Sequence, residues 1–169
     1  GIALKVIKTD YDTHKPLKIA SLKFKIKDLS TNEYIENPEN KDDKYIFLTN
    51  EFGYFVTAKT LNYGKYAIFE EDNNLDGYIW NKEPLEINLT KENVKNSDDN
   101  SLVYETQFSN KRIKGKIVVT KLGENFNPDN NNFNYSFKNL ENVTIALYAK
   151  NVIKDINGNV IYPKNVEIA

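Results

Sequence analysis

Apolar and polar residues alternate with a period of two almost from the first residue, the pattern of strands half-buried in a sheet. "IASLKFKIKD" (19–28) is the clearest stretch: Ala20, Leu22, Phe24 and Ile26 share one face, Ser21, Lys23, Lys25 and Lys27 the other. One row seeks a core and the lysine row is a solvated face, which predicts an antiparallel strand with one side in water. "LKVIK" (4–8) sets Leu4, Val6 and Lys8 in a row. "YIFLT" (45–49) and "GYFVTA" (53–58) flank the turn "NEFG" and predict a hairpin. "KYAIFE" (65–70), "LEINL" (85–89) and "LVYETQF" (102–108) complete the set, and "TKENVKNSDDNS" (90–101) reads as a polar loop. No segment carries a convincing helical period. Short strands parted by Asn, Asp, Gly and Pro clusters predict an all-β sandwich of about seven strands.

Near residue 111 the pattern restarts. "GKIVVTKLG" (115–123) repeats the apolar spacing of "ALKVIKTD" (3–10), so that Ile117, Val119 and Lys121 stand where Leu4, Val6 and Lys8 stood. "LENVTIALYAK" (140–150) echoes "LKIASLKFKIK" (17–27). The internal repeat is about 110 residues long and its second copy stops early. Residues 1–113 are therefore expected to form one sandwich, and 114–169 the opening half of a similar unit. The short "NKRIKG" (110–115) between them predicts units set end to end with little slack. The Asn-rich "ENFNPDNNNFN" (124–134) is expected to be a long loop.

Composition narrows the chemistry. With 169 residues, 11 Tyr and 9 Phe, the chain can bury a core in which aromatic rings offset a low aliphatic content. Lys and Arg number 23 against 24 Asp and Glu, a net charge of −1, which argues against nucleic acid or an anionic membrane as the main partner. No run approaches a membrane span. Because the chain opens directly on a strand pattern, with no signal peptide before Gly1, it reads as excised from something longer. Cysteine and methionine are absent, which removes disulfides, thiolate metal sites and thiol nucleophiles and suits an extracellular protein. The one histidine, His14, follows "DYDT" and reads as an exposed turn residue.

Three polar residues continue apolar rows: Lys8 after Leu4 and Val6, Glu70 after Tyr66 and Ile68, and Asn110 after Phe108. Each falls at a strand end, where a row can simply emerge into water. Taken together in a two-sheet sandwich they admit a second account. Burial drives a lysine toward the neutral amine and a glutamate toward the protonated acid. A neutral amine is a nucleophile, and an acid beside a carboxamide can polarise it and shuttle protons. Attack on Asn110 with loss of ammonia leaves an amide joining the two side chains. An apolar wall that holds the groups in contact makes a cofactor unnecessary.

"LKVIKTD", "KPLKIASLKFKIKD", "TNEFGYFVTAKTLNYGKYAIFEEDNNLDGY" and "TQFSNKRIKGKIVVTK" follow in order the pattern of the collagen-adhesin B-type domains, also called Cna-B or SpaA-like prealbumin-fold domains. The resemblance spans residues 1–113, and its most specific part is "L-x-Y-G-K-Y-x-x-x-E…D-G-Y". It implies a reversed immunoglobulin-like, prealbumin-like β-sandwich, used as a stalk module in adhesins and pilins on the Gram-positive cell wall, outside the cell. In many such domains a first-strand Lys is joined to a last-strand Asn with help from a Glu on a middle strand. Matched position by position, these are Lys8, Asn110 and Glu70, the three residues that the face pattern isolates. In the second unit Lys121 matches the reactive lysine, but no glutamate or asparagine partner is evident before Ala169.

"IYPKN" (161–165) resembles the pilin motif whose lysine, here Lys164, a sortase joins to the next subunit. It equally fits a "G-N-V-I-Y-x-K" strand of adhesin repeats, where Tyr162 and Lys164 are ordinary strand residues. Neighbouring repeats of the same polypeptide are the implied partners, with a sortase and host extracellular matrix as further candidates. The alternative function is ligand binding, to a host matrix protein or a glycan, with Trp80 in "GYIWNKEP" as the exposed-aromatic candidate. Catalysis on an external substrate finds no Ser/His/Asp set, metal cluster or phosphate loop to support it.

Overall fold

In the computed structural model, which describes residues 1–129 and 132–169, β1 (Ile2–Asp10) and β9 (Leu102–Asn110) run side by side in parallel. Their register is unbroken from Ile2↔Leu102 to Asp10↔Asn110. β5 (Tyr54–Val56) pairs antiparallel with the other edge of β1, and β8 (Lys95–Asn96) with the other edge of β9, giving the sheet order β5-β1-β9-β8. The second sheet is β3-β2-β6-β7, built from β3 (Glu33–Tyr34), β2 (Lys23–Asp28), β6 (Gly64–Glu70) and β7 (Leu85–Leu89). β4 (Phe47–Leu48) is added to it through β2.

The predicted rows define the core. Leu4 and Val6 are fully buried on β1, Phe24 and Ile26 on β2, Ile68 on β6, with Phe108 at 1% exposure on β9. Each such side chain contributes about 1.5–3 kcal/mol by leaving water. Phe24 packs edge-on against Phe108 with centroids 5.3 Å apart, and tilted against Phe55 at 5.4 Å, so that aromatic rings fill the gap between the sheets.

The strands differ from expectation mainly at their ends. β2 begins at Lys23 and not at Ile19, because Ser21 adopts φ 66° and breaks the ladder in a turn. The hairpin predicted over 45–58 does not form: β4 pairs with β2 in one sheet and β5 with β1 in the other, so the turn between them carries the chain from sheet to sheet. The two-residue strands β3 and β8 were not expected, and β8 lies inside the predicted polar loop 90–101. Edge strands this short carry too few residues for a readable alternation.

The chain divides into two compact units, Gly1–Ile113 and Lys114–Ala169. The second holds two separate ribbons: β10 (Leu122–Asp129) with β11 (Asn132–Asn139), and β12 (Ile153–Lys154) with β13 (Val160–Tyr162). The expected long loop over 124–134 is therefore mostly hairpin, paired from Leu122↔Asn139 to Asp129↔Asn132; residues 130–131 of that loop lie outside the described residues. Phe133, Tyr135 and Phe137 recur at every second position there, a strand period that the asparagines conceal.

The strands expected at 115–123 and 140–150 do not form as such. Residues 115–121 have no ladder partner, and Ile117 and Val118 are 72% and 73% exposed. Residues 140–150 form no strand; Leu147 and Ala149 exchange backbone hydrogen bonds with residues 165–169 around the isolated bridge Tyr148↔Glu167. β1 is a strand because β9 and β5 pair with its backbone groups, and the similar sequence at 115–121 has no such neighbouring strands. Among the described residues of this unit, Ala149 is the buried hydrophobic side chain.

Candidate functional site

Lys8 is placed by its own backbone. Its N–H donates to the Gly53 carbonyl at 2.8 Å, and its carbonyl accepts from Leu17 N–H at 2.8 Å. Gly53 sits at φ 82°, and a Cβ there would stand 2.1 Å from the Leu17 carbonyl oxygen, so no other residue fits without displacing that anchor. The alternation of β1 then carries the side chain inward behind Leu4 and Val6, and Lys8 is completely buried.

Parallel pairing supplies the second group. Lys8 stands opposite Phe108, and Asn110, two residues on, points to the same face and is 1% exposed. The third comes from the facing sheet: Glu70 ends β6 opposite Phe24 and is 5% exposed. Asn110 Nδ2 donates to Glu70 Oε1 at 3.0 Å, while Asn110 Oδ1 is buried without a hydrogen-bond partner among the described residues. Lys8 Nζ donates to the Phe108 carbonyl at 3.4 Å and lies 5.8 Å from the centre of the Phe108 ring. The structure thus brings Lys8, Glu70 and Asn110 together against one apolar wall.

The electrostatics follow from burial. Desolvation lowers the Lys8 ammonium to about 8, outweighing the opposing pull of Glu70 and Asp10. Desolvation also raises the Glu70 carboxyl, against Lys8 and the hydrogen bonds from Asn110, Asn81 and Asn73. Each shift favours the uncharged form, an amine on Lys8 and an acid on Glu70.

A second cluster closes the same end of the unit, and sequence reading missed it. Asp10 is 1% exposed and accepts from Tyr78 Oη at 2.7 Å, Arg112 Nε at 2.5 Å, and the N–H groups of Asp12 and Thr13 at 2.9 and 3.0 Å. Burial alone would raise its carboxyl, but these donors together hold it well below the usual carboxylate range. Burial and the Asp10 carboxylate push the Tyr78 phenol up to about 12. The readable signal was the Asp at the head of "DYDT", a residue type that captures the backbone N–H groups of its own turn.

Trp80 is 38% exposed, and its indole N–H donates to the Glu70 carbonyl at 2.9 Å. It therefore belongs to the wall over Glu70 as much as to the surface, where it lines an open cavity of about 310 Å³ with Tyr11, Ile79, Asn81, Ser109 and Lys111. His14 is exposed in its turn with φ 57°. Lys121 is exposed just before β10, and Lys164 is exposed in the turn that follows β13, two residues beyond the strand end at Tyr162. Neither shares the surroundings of Lys8. Among the described residues no group of three or more His, Cys, Asp and Glu side chains could hold a metal ion, and no helix is long and apolar enough to cross a membrane.

Residues 2–102 match the family described as SpaA, prealbumin-like fold domain. The chain belongs to this family, and the two facing sheets of its first unit, with β1 and β9 parallel, are that fold. No curated protein matches the chain. Among solved structures, it is similar to the pilus 2b backbone protein of group B streptococcus, with 17% identity, TM-score 0.50, and coverage of 65% of this chain and 40% of that one. The minor pilin of Streptococcus agalactiae aligns with 18% identity, TM-score 0.49, and coverage of 71% and 47%. The major pilin subunit of Bacillus cereus aligns with 17% identity, TM-score 0.44, and coverage of 74% and 31%. The chain spans less than half the length of each of these structures.

Proposed function

We propose that residues 1–113 are a structural stalk module of a cell-wall-anchored bacterial surface protein or pilin, stapled by an isopeptide bond that the domain forms between Lys8 and Asn110. The observation that carries this reading is the burial of a lysine, a glutamate and an asparagine together, with the asparagine amide on the glutamate. Burying a potential charge with an unpartnered amide oxygen costs stability unless the groups react or serve some end. Family membership and likeness to pilin structures support the surface role.

The chemistry needs only these side chains. Lys8 gives a proton to Glu70, and the neutral Nζ attacks Cγ of Asn110. A turn of the amide brings Oδ1 to the place of Nδ2, where the protonated acid donates to it as negative charge develops. The Nζ–Cγ bond forms and the Cγ–Nδ2 bond breaks. Nζ gives up two protons in all: one passes through Glu70 to Nδ2, which leaves as ammonia, and the other stays on Glu70 until the departing ammonia or solvent takes it and restores the carboxylate. The reaction occurs once per chain, on the chain itself, with no external substrate.

The cross-link would close a loop of about 100 residues, which the loop-entropy account values at about 4.7 kcal/mol. The intact folded chain should weigh one ammonia less than its sequence requires, and Lys8→Ala should restore the full mass. A wild-type mass equal to the calculated one overturns the staple.

A further inference from the structure

The segment 77–81 is fastened along the end of β9 at every second residue. Ile113 N–H donates to the Gly77 carbonyl at 2.9 Å, Ile79 N–H to the Lys111 carbonyl at 2.8 Å, and Asn81 Nδ2 to the Ser109 carbonyl at 3.3 Å. The last contact brings Asn81 beside Asn110's own strand neighbour. From there its backbone N–H points at Glu70 Oε2, 3.4 Å away, while Trp80 holds the Glu70 carbonyl. Asn81 thus touches the acid from the first sheet's side and ties it to the strand that bears Asn110.

The two oxygens of Glu70 are consequently unlike. Both accept an N–H, but Oε1 accepts from Asn110 Nδ2 at 3.0 Å, an amide that the proposed reaction turns to present Oδ1, whereas Oε2 accepts from Asn81 N–H, which the backbone holds. A backbone N–H can only donate, so the oxygen it addresses must be an acceptor. The carbonyl oxygen of an acid is the better acceptor, so when Glu70 is neutral its proton is favoured on Oε1, where the turned amide can accept it and be polarised. We propose that Asn81 is a positioning residue, whose N–H fixes the acid proton of Glu70 toward Asn110 and whose side chain straps that N–H in place. The inference rests on the Lys8–Asn110 reaction proposed above. A contact of 3.4 Å suits this role, since catalytic hydrogen bonds are often long before the reactants close up.

Glu70 faces one titratable group from the opposing sheet, Lys8 on β1, with Asp10 acting in turn on Lys8. Its other polar neighbours, Asn110 on β9 and Asn73 and Asn81 in the segment before β7, carry no charge. A change in Glu70 titration on altering Asn81 therefore reports the N–H contact and not a lost charge.

The test compares Asn81→Ala, which keeps the N–H and removes the strap, with Asn81→Pro, which removes both. Chains recovered unfolded and unreacted are refolded, and loss of ammonia is followed by intact mass across pH. Asn81→Pro should react at least about tenfold more slowly than wild type, with Asn81→Ala between them. In a Lys8→Ala background, where nothing reacts, the fluorescence of Trp80 reports Glu70 ionisation. Its midpoint should move upward in Asn81→Pro, because the lost donor favoured the ionised form. Wild-type rate and an unmoved midpoint in Asn81→Pro overturn the proposal. If Asn81→Pro does not fold, the same two readings on Asn81→Ala decide it, unchanged values again overturning it. If wild type itself never loses ammonia, the staple falls and the role of Asn81 falls with it, an outcome distinct from a wild type that reacts and variants that keep pace.

Discussion

Asn110 Nδ2 and Glu70 Oε1 meet at 3.0 Å across the gap between the two sheets, a polar contact made inside an apolar core. Glu70→Ala removes the acid side of it. Nothing then lowers the barrier to amine attack on an unreactive amide, so the full mass should return while a β-type circular dichroism spectrum remains. The lost packing is partly offset by relief of desolvation, and the larger loss is the staple. Glu70→Ala and Lys8→Ala should therefore melt well below wild type and close to one another. Cross-linking of Glu70→Ala at the wild-type rate would remove Glu70 from the mechanism.

The rate of bond formation should form a plateau in pH. Amine plus acid and ammonium plus carboxylate hold the same number of protons, so their ratio does not change between the two pKa values. Below the raised value of Glu70 the pair takes up a proton and Lys8 stays an ammonium. Above about 8, where Lys8 titrates, the pair loses the proton that Glu70 must hold. Refolding unreacted chain over a pH series and timing the mass change should give a flat centre with both limbs falling. A rate that climbs steadily into alkali would mean that no acid takes part.

Asp10 should make the first unit acid-labile. Its folded value is depressed, so the unfolded chain binds more protons in acid. The stabilisation is fully present above the ordinary carboxylate value, about 3.9, and drains away as pH falls toward the folded one. Denaturant melts of Lys8→Ala, where no staple masks unfolding, should show this slope, and adding Asp10→Asn should flatten it. Tyr78→Phe removes one donor to a buried charge and should cost about 1.5–3 kcal/mol in the same melts.

Gly53→Ala should act on the site from a distance. The new methyl meets the Leu17 carbonyl at a position with φ 82°, and the backbone that anchors Lys8 must move. A cost of about 1–3 kcal/mol is expected, together with slower loss of ammonia, although no reacting group has changed. Equal rates in Gly53→Ala and wild type would show that Lys8 is held by its side-chain packing alone.

The rows Leu4–Val6–Lys8 and Tyr66–Ile68–Glu70 were legible because a period of two survives in any strand with one buried face. They gave the sandwich and placed three polar residues on its inner faces. The Asp10 cluster was not legible, because Tyr78, Arg112 and Asp10 meet through loops that carry no period. Asn81 escaped for a related reason: its backbone N–H, which any residue but proline supplies, makes the contact with Glu70. In the second unit the apolar spacing of 115–121 predicted a strand that does not form, because alternation states only what a segment could do beside a partner.

The parallel register of β1 and β9 has a mechanical consequence. Gly1 adjoins the Ile2↔Leu102 end of the pair, and Ile113 leaves from the Asp10↔Asn110 end. Tension on the two termini drags the strands past each other along their length. Every rung of the ladder is then loaded in shear at once, whereas a pair pulled from a single end peels rung by rung. A bond from Lys8 to Asn110 would carry the force from β1 straight to the exit, leaving the chain between those residues outside the line of load.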